Sequence, residues 1–187
     1  MMKVHEEKAT GKGFLVGLEP PPDTLLDSPL DYILADHFRQ RCLCARLRGM
    51  AEDGTSTSDV AKPIVSYLKK DLPRHHEDED RDIYPVLLRR ARSEDEIEGI
   101  LERLALDHRQ TEDQAGAIIE ALTAPHDADL IVLDPNTTNL MRAFAATEHR
   151  HLAIENGIVL VIARRRLRPQ DISKISSTMK SRRGLGS

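Results

Sequence analysis

Four stretches of this 187-residue chain carry apolar residues at helical spacing, and each places one histidine on its apolar stripe. In the first, the stripe is Leu30, Ile33, Leu34, His37, Arg41 and Cys44. In the second, Leu68 lies seven residues before His75; in the third the stripe is Ile97, Leu101, Leu104, His108, Ala115, Ile119 and Leu122; in the fourth it is Leu140, Phe144, His151, Ile158 and Ile162. Stripes of this period are buried only by packing on one another. Joined by short connections, four of them predict an all-α fold: an up-down-up-down antiparallel four-helix bundle. One buried histidine is ordinary. Four of them, one per helix, need partners, because each unpaired buried polar atom costs about 1–3 kcal/mol.

Capping and breaking residues set the expected boundaries. Ser28-Pro29 predicts an N-cap followed by proline at the first helical position, with helix 1 running to about Met50. Asp53 to Ser58 reads as a turn-rich connection. Helix 2 is expected over about Asp59 to Arg92, kinked by Pro73 just before its histidines. Ser93-x-x-Glu96 reads as a capping box opening helix 3, which reaches about Leu122. A loop with a short extra turn at Leu130 to Leu133 leads to helix 4, about Pro135 to Leu167. Pro169 then starts a short, mostly polar fifth helix through about Arg183. The expected organisation is a loose leader over 1–27, the bundle over 28–168, and a C-terminal helix and tail over 169–187.

Composition narrows the class. Aromatic residues make up only 3% and there is no Trp, which favours helices packed by aliphatic side chains over a sheet. A net charge of −4 supplies no field to attract nucleic acid or anionic lipid. The basic runs at 164–168 and 180–183 sit near helix C-termini, where cations offset the helix dipole. Cys42 and Cys44 would lie about 200° apart around a helix, so they do not pair, and a reducing cytoplasm is the expected setting. Phe14 to Leu18 is too short for a secretion signal, and Ile158 to Ala163 falls far below the ~20 residues of a membrane span. A soluble, cytoplasmic protein without membrane or nucleic-acid partners is expected.

Carboxylates accompany the histidines. His75 and Glu79, His108 and Glu112, and His151 and Glu155 are each four residues apart. That spacing advances a helix by about 40° and ~6 Å, so both side chains of a pair face one point inside a bundle. Three such pairs on three helices, with His37 on the fourth, point to a metal site, and this donor set suits iron, manganese or zinc alike. His76 and Asp80 have the same spacing. Lys69 lies seven residues before His76 whereas Leu68 lies seven before His75, so His75 sits on the drier face and His76 is expected at the surface or bonded to a ligand. His149 reads as solvated, and His126 and His5 as non-ligands in loop and leader. Glu148-x-x-His151 matches the ferritin-like pattern, but Leu34, Leu72 and Ala105 occupy the equivalent positions before the other histidines. Glu148 is therefore expected to support a ligand from behind.

His37, the run His75-His76-Glu77-Asp78-Glu79-Asp80 leading to Ile83-Tyr84-Pro85, and the blocks Asp107 to Glu112 and His151 to Asn156 resemble the hemerythrin-like HHE domains. The resemblance extends from about Leu30 to Arg183. It implies two non-haem iron ions with a bridging oxo or hydroxo group, and Glu79 and Glu155 as bridging carboxylates. It further implies His108, Glu112 and His151 on one iron and His37 and His75 on the other, which keeps an open position for oxygen, nitric oxide or peroxide. Glu112 stands where oxygen carriers have histidine. As a ligand it would favour the oxidised pair and oppose reversible oxygen carriage; alternatively it stands behind the ligands. Asn156, where relatives often have an acid, is not expected to touch the metal.

The preferred functional expectation is a protein that binds or senses a small ligand, or buffers iron, rather than a dedicated enzyme. The alternatives are a di-iron oxidoreductase reducing peroxide or nitric oxide, and a metal-free helical interaction domain. A sensing signal would leave through a protein partner, for which the fifth helix around Met179 is the candidate surface. Tyr32, Tyr67 and Tyr84 read as core or interface residues.

Overall fold

The computed structural model describes residues 17–124 and 129–186. Helix α1 spans Pro29–Asp53, α2 covers 58–90, α3 spans Glu98–Thr123, α4 covers 135–166 and α5 spans Pro169–Arg182. Helix α1 lies along α4, α4 along α3, and α3 along α2. Arg164 bonds Asp31 at one end of the α1–α4 pair and Arg48 bonds His149 at the other, so the two run antiparallel. The result is the expected all-α bundle with a fifth C-terminal helix.

Two apolar clusters fill the ends. Leu43, Leu47, Ile64, Leu68, Ile118 and Phe144 pack one end. Leu26, Ile33, Ile83, Leu87, Leu104 and Val159 pack the other. His37, His75, His108 and His151 lie between them, all buried, with Glu79 and Glu155. The stripes thus seal a polar layer above and below.

Several local expectations are corrected. Helix α1 begins at Pro29, but the Ser28 side chain makes no capping bond. Gly54 ends α1 in the left-handed conformation, with φ 66° and its N–H donating to the Met50 carbonyl. Before Pro73 the helix is interrupted by a π-turn at Tyr67–Asp71, where the Leu72 N–H donates to the Tyr67 carbonyl, and Pro73 falls in the first turn of the segment that follows. Ser93 and Glu96 form no capping box. Ser93–Asp95 is a 3-10 turn, Glu96 has φ 45°, and the Arg92 N–H donates to Asp95 Oδ2 at 2.8 Å. Where a turn and an extra helical turn were expected, Thr55–Thr57 and Leu130–Val132 pair as an antiparallel ribbon, β1 with β2. The described part of the leader is docked rather than loose: Asp23–Asp27 is a 3-10 turn with Leu26 fully buried.

Helix α5 is not an exposed surface around Met179. Ile175 and Met179 are buried in the second apolar cluster, and Arg182 and Arg183 both pair with buried Asp78. Among the described residues no helix is long and apolar enough to cross a membrane. His5 and His126 lie outside the described residues.

Candidate metal centre

Each histidine of the polar layer comes from the middle of its helix, and the two central carboxylates come from interruptions of theirs. Glu79 lies in a π-turn at Asp78–Ile83 and Glu155 opens another at Glu155–Val159. A π-turn fits one extra residue into a helical turn and re-aims the side chains around it; such turns recur at functional sites. Helix α3 is regular α-helix through His108 and Glu112.

The four Nε2 atoms converge on the two carboxylates. His37 Nε2 lies 3.4 Å from Glu79 Oε1 and 3.2 Å from Glu155 Oε2. His75 and His108 place Nε2 at 3.3 and 3.4 Å from Glu79 Oε2, and His151 places its own 3.2 Å from Glu155 Oε2. Two sets of four atoms result, each within 4.8 Å of one another: His37, His75, Glu79 and Glu155, and Glu79, His108, His151 and Glu155. Each set has two imidazoles, and the sets share both carboxylates.

Behind three of the imidazoles stands an acceptor. His37 Nδ1 faces Asn156 Oδ1 at 2.9 Å, His75 Nδ1 faces Asp36 Oδ2 at 3.1 Å, and His108 Nδ1 faces Asp80 Oδ1 at 3.0 Å. For His37 and His108 that acceptor fixes the proton on Nδ1 and turns the Nε2 lone pair to the cluster, while His75 Nδ1 meets the Asp36 carboxylate as a close ion pair outside hydrogen-bond geometry. Arg39, paired with Asp36, in turn donates to the Leu18 carbonyl. Tyr84 donates its phenol proton to Glu155 Oε1 at 2.5 Å and stacks against His108.

The arrangement fits a cation. Glu79 Oε2, Glu155 Oε2 and His75 Nε2 are buried without a hydrogen bond among the described residues. His108 Nε2 and His151 Nε2 lie 3.1 Å apart. With its proton on Nδ1 for Asp80, His108 has only a lone pair to offer there. Without a metal, protons take the cation's place. Burial opposes charge on His37, but Glu155 and Glu79 more than offset it and hold the imidazole well above its ordinary pKa. Burial likewise opposes His108, yet Asp80 and Glu79 push it up to about 10. Burial opposes charge on Glu155 too, but His151 and His37 outweigh it and hold the carboxyl well below its usual range.

Glu112 is not brought to the cluster. Its side chain is 44% exposed and its Oε1 lies 2.9 Å from His76 Nδ1. His76 is buried rather than at the surface, and its ring stacks on His108 with centroids 4.1 Å apart. Burial and the neighbouring His108 push its pKa down to about 3, with Glu112 offsetting only part. His149 is exposed and bonds Arg48, as its spacing implied. Asn156 touches His37 and belongs to neither four-atom set. Asp36 is absent from the sequence expectations, Asp80 enters them only as a partner of His76, and Tyr84 only as a core or interface residue. Asp36 and Asp80 adjoin His37 and Glu79 in the sequence, and Tyr84 lies in the run that carries the family resemblance, but no position by itself reveals the contact made.

Comparison with known families matches residues 28–163 to the hemerythrin HHE cation binding domain, and the chain belongs to that family. Comparison with curated proteins returns no match.

Proposed function

We propose that this chain is a non-haem di-iron protein that binds or senses a small ligand such as oxygen, nitric oxide or peroxide, or buffers iron. The carrying observation is the pair of four-atom sets that share Glu79 and Glu155. His37 and His75 would hold one ion, His108 and His151 the other, with both carboxylates spanning the two. Four protein donors leave positions open on an ion that prefers six, and a bound iron pair supplies electrons and small-ligand affinity at those positions. The protein's part is to keep His37 and His108 in one tautomer through Asn156 and Asp80, to hold Glu155 through Tyr84, and to exclude bulk water with the two apolar clusters. The free cysteines Cys42 and Cys44 fit a reducing cytoplasm.

With Glu112 outside both sets, the site offers two carboxylates rather than three. The charge argument against reversible oxygen binding therefore does not carry over. Tyr84 keeps the second reading, an oxidoreductase acting on peroxide or nitric oxide, because its phenol stands beside Glu155 as a buried proton source. Metal analysis of protein purified in air, with its electronic spectrum, tests the first claim. About two iron ions per chain and near-ultraviolet bands of a bridged ferric pair are expected. A metal content near zero after growth in ample iron removes the proposal. Mixing the reduced protein with oxygen, nitric oxide or peroxide separates a stable adduct from catalytic turnover.

A further inference from the structure

Two of the four cluster imidazoles, His37 and His108, have an acceptor in hydrogen-bond geometry behind them, His75 has the Asp36 carboxylate 3.1 Å away outside that geometry, and His151 has neither. His151 Nδ1 is buried with no hydrogen-bond partner among the described residues. Glu148, three residues earlier on α4, is 1% exposed, and its Oε2 is likewise unpartnered. Gln40 on α1 is also 1% exposed, with both amide atoms unpartnered.

These residues share a level in the bundle. Gln40 follows His37 by three residues, and Glu148 precedes His151 by three. Because α1 and α4 are antiparallel neighbours, both offsets lead one turn, about 4.5 Å, towards the same end. Neither residue belongs to a four-atom set. The layer contains a donor, His151 Nδ1–H, and acceptors, Glu148 Oε2 and Gln40 Oε1. None of them bonds another directly. Buried waters are held by 2–4 such groups.

We propose that Glu148 and Gln40 hold an ordered water that accepts the Nδ1–H of His151, which makes Glu148 the positioning residue for that imidazole. The inference rests on the reading of the cluster as a metal centre. The water donates one proton to Glu148 Oε2 and the other to Gln40 Oε1. His151 is thereby fixed in the same tautomer as His37 and His108, with its Nε2 lone pair facing Glu155.

Cobalt(II), a paramagnetic probe that accepts nitrogen and oxygen ligands, tests this in the full chain by proton NMR in H2O and D2O. The unmodified protein should show four shifted imidazole N–H resonances that exchange slowly. Glu148→Leu and Gln40→Leu should each speed the exchange of one of the four, and the release of cobalt to a chelator, by about tenfold or more. Glu148→Gln keeps an acceptor and should leave that resonance slow. Should Glu148→Leu fail to fold by circular dichroism, Gln40→Leu decides alone. Four resonances exchanging as in the unmodified protein in the folded leucine variants overturn the inference. Failure of the unmodified chain to take up cobalt instead overturns the metal reading, and this inference with it.

Discussion

At the scale of single residues, the cluster works by opposing charges that cannot leave. Removing His151 as His151→Ala leaves Glu79 and Glu155 facing each other with less positive charge between them. We expect that variant to lose most of its metal and to unfold at lower urea, while His149→Ala, which alters an exposed pair with Arg48, does neither. Metal content and urea midpoints check both; loss of metal from His149→Ala with retention in His151→Ala would reverse the assignment. The metal-free protein should also report its charges through pH. His37, His75 and His108 bind protons more tightly folded than unfolded, so their contribution is complete below about pH 6.5 and fades as pH rises, through about 10 for His108. Glu155 and Glu79, held low, contribute above their ordinary value of 4.5 and fade as pH falls. His76, held neutral down to about 3, disfavours folding as pH falls below 6.5. Stability without metal should therefore peak near pH 6.5, and bound metal, which needs neutral imidazoles, should abolish the alkaline decline. A flat metal-free profile from pH 6.5 to 10 contradicts this account.

At the scale of elements, the π-turns explain why equal spacings give unequal results. His75 with Glu79, His108 with Glu112, and His151 with Glu155 look identical in sequence. The two carboxylates at π-turns reach the cluster, while Glu112, on regular α3, keeps its offset of about 40° and turns to His76 and solvent. Helical period made the four stripes and their histidines legible, because burial of one face repeats locally. A single residue inserted into a turn only shifts the phase of that period, and a stripe of four or five apolar residues is too short to show the shift. The β1–β2 ribbon was equally illegible: Thr55–Thr57 and Leu130–Val132 pair across a long sequence separation, and neither strand is long enough to show alternation. Gly157 tests the π-turn directly. A Cβ there meets nothing within 4 Å, so Gly157→Ala should keep its metal and gain roughly 0.5–1 kcal/mol, or ~1–4 °C in Tm. Deleting Gly157 should instead restore a regular turn, rotate Glu155 away and cost the metal. Metal retention by the deletion variant would show that the π-turn does not aim Glu155.

At the scale of the whole molecule, the fifth helix closes the bundle and reaches the centre through one acid. Asp78, fully buried, is held by Arg182 and Arg183 from α5, and it immediately precedes Glu79 on the same π-turn. Burial pushes its carboxyl above the ordinary range despite Arg183 beside it, so losing a guanidinium leaves a poorly compensated buried acid. Breaking a buried pair by removing one partner costs about 3–5 kcal/mol; with Arg182 still present, Arg183→Ala should fall at the lower end. Because Asp78 and Glu79 share one turn of backbone, the same substitution should hasten metal release to a chelator. Arg164→Ala is the control. Arg164 and Asp31 are 45% and 49% exposed, and such a surface pair is worth under about 1 kcal/mol and lies far from the carboxylates. Urea unfolding of metal-free protein gives the stability, and chelator kinetics on loaded protein give the release. Arg183→Ala that loses stability yet releases metal at the unmodified rate would confine α5 to packing. Faster release in Arg183→Ala alone would show that the C-terminal helix, through Asp78, sets how firmly Glu79 is held.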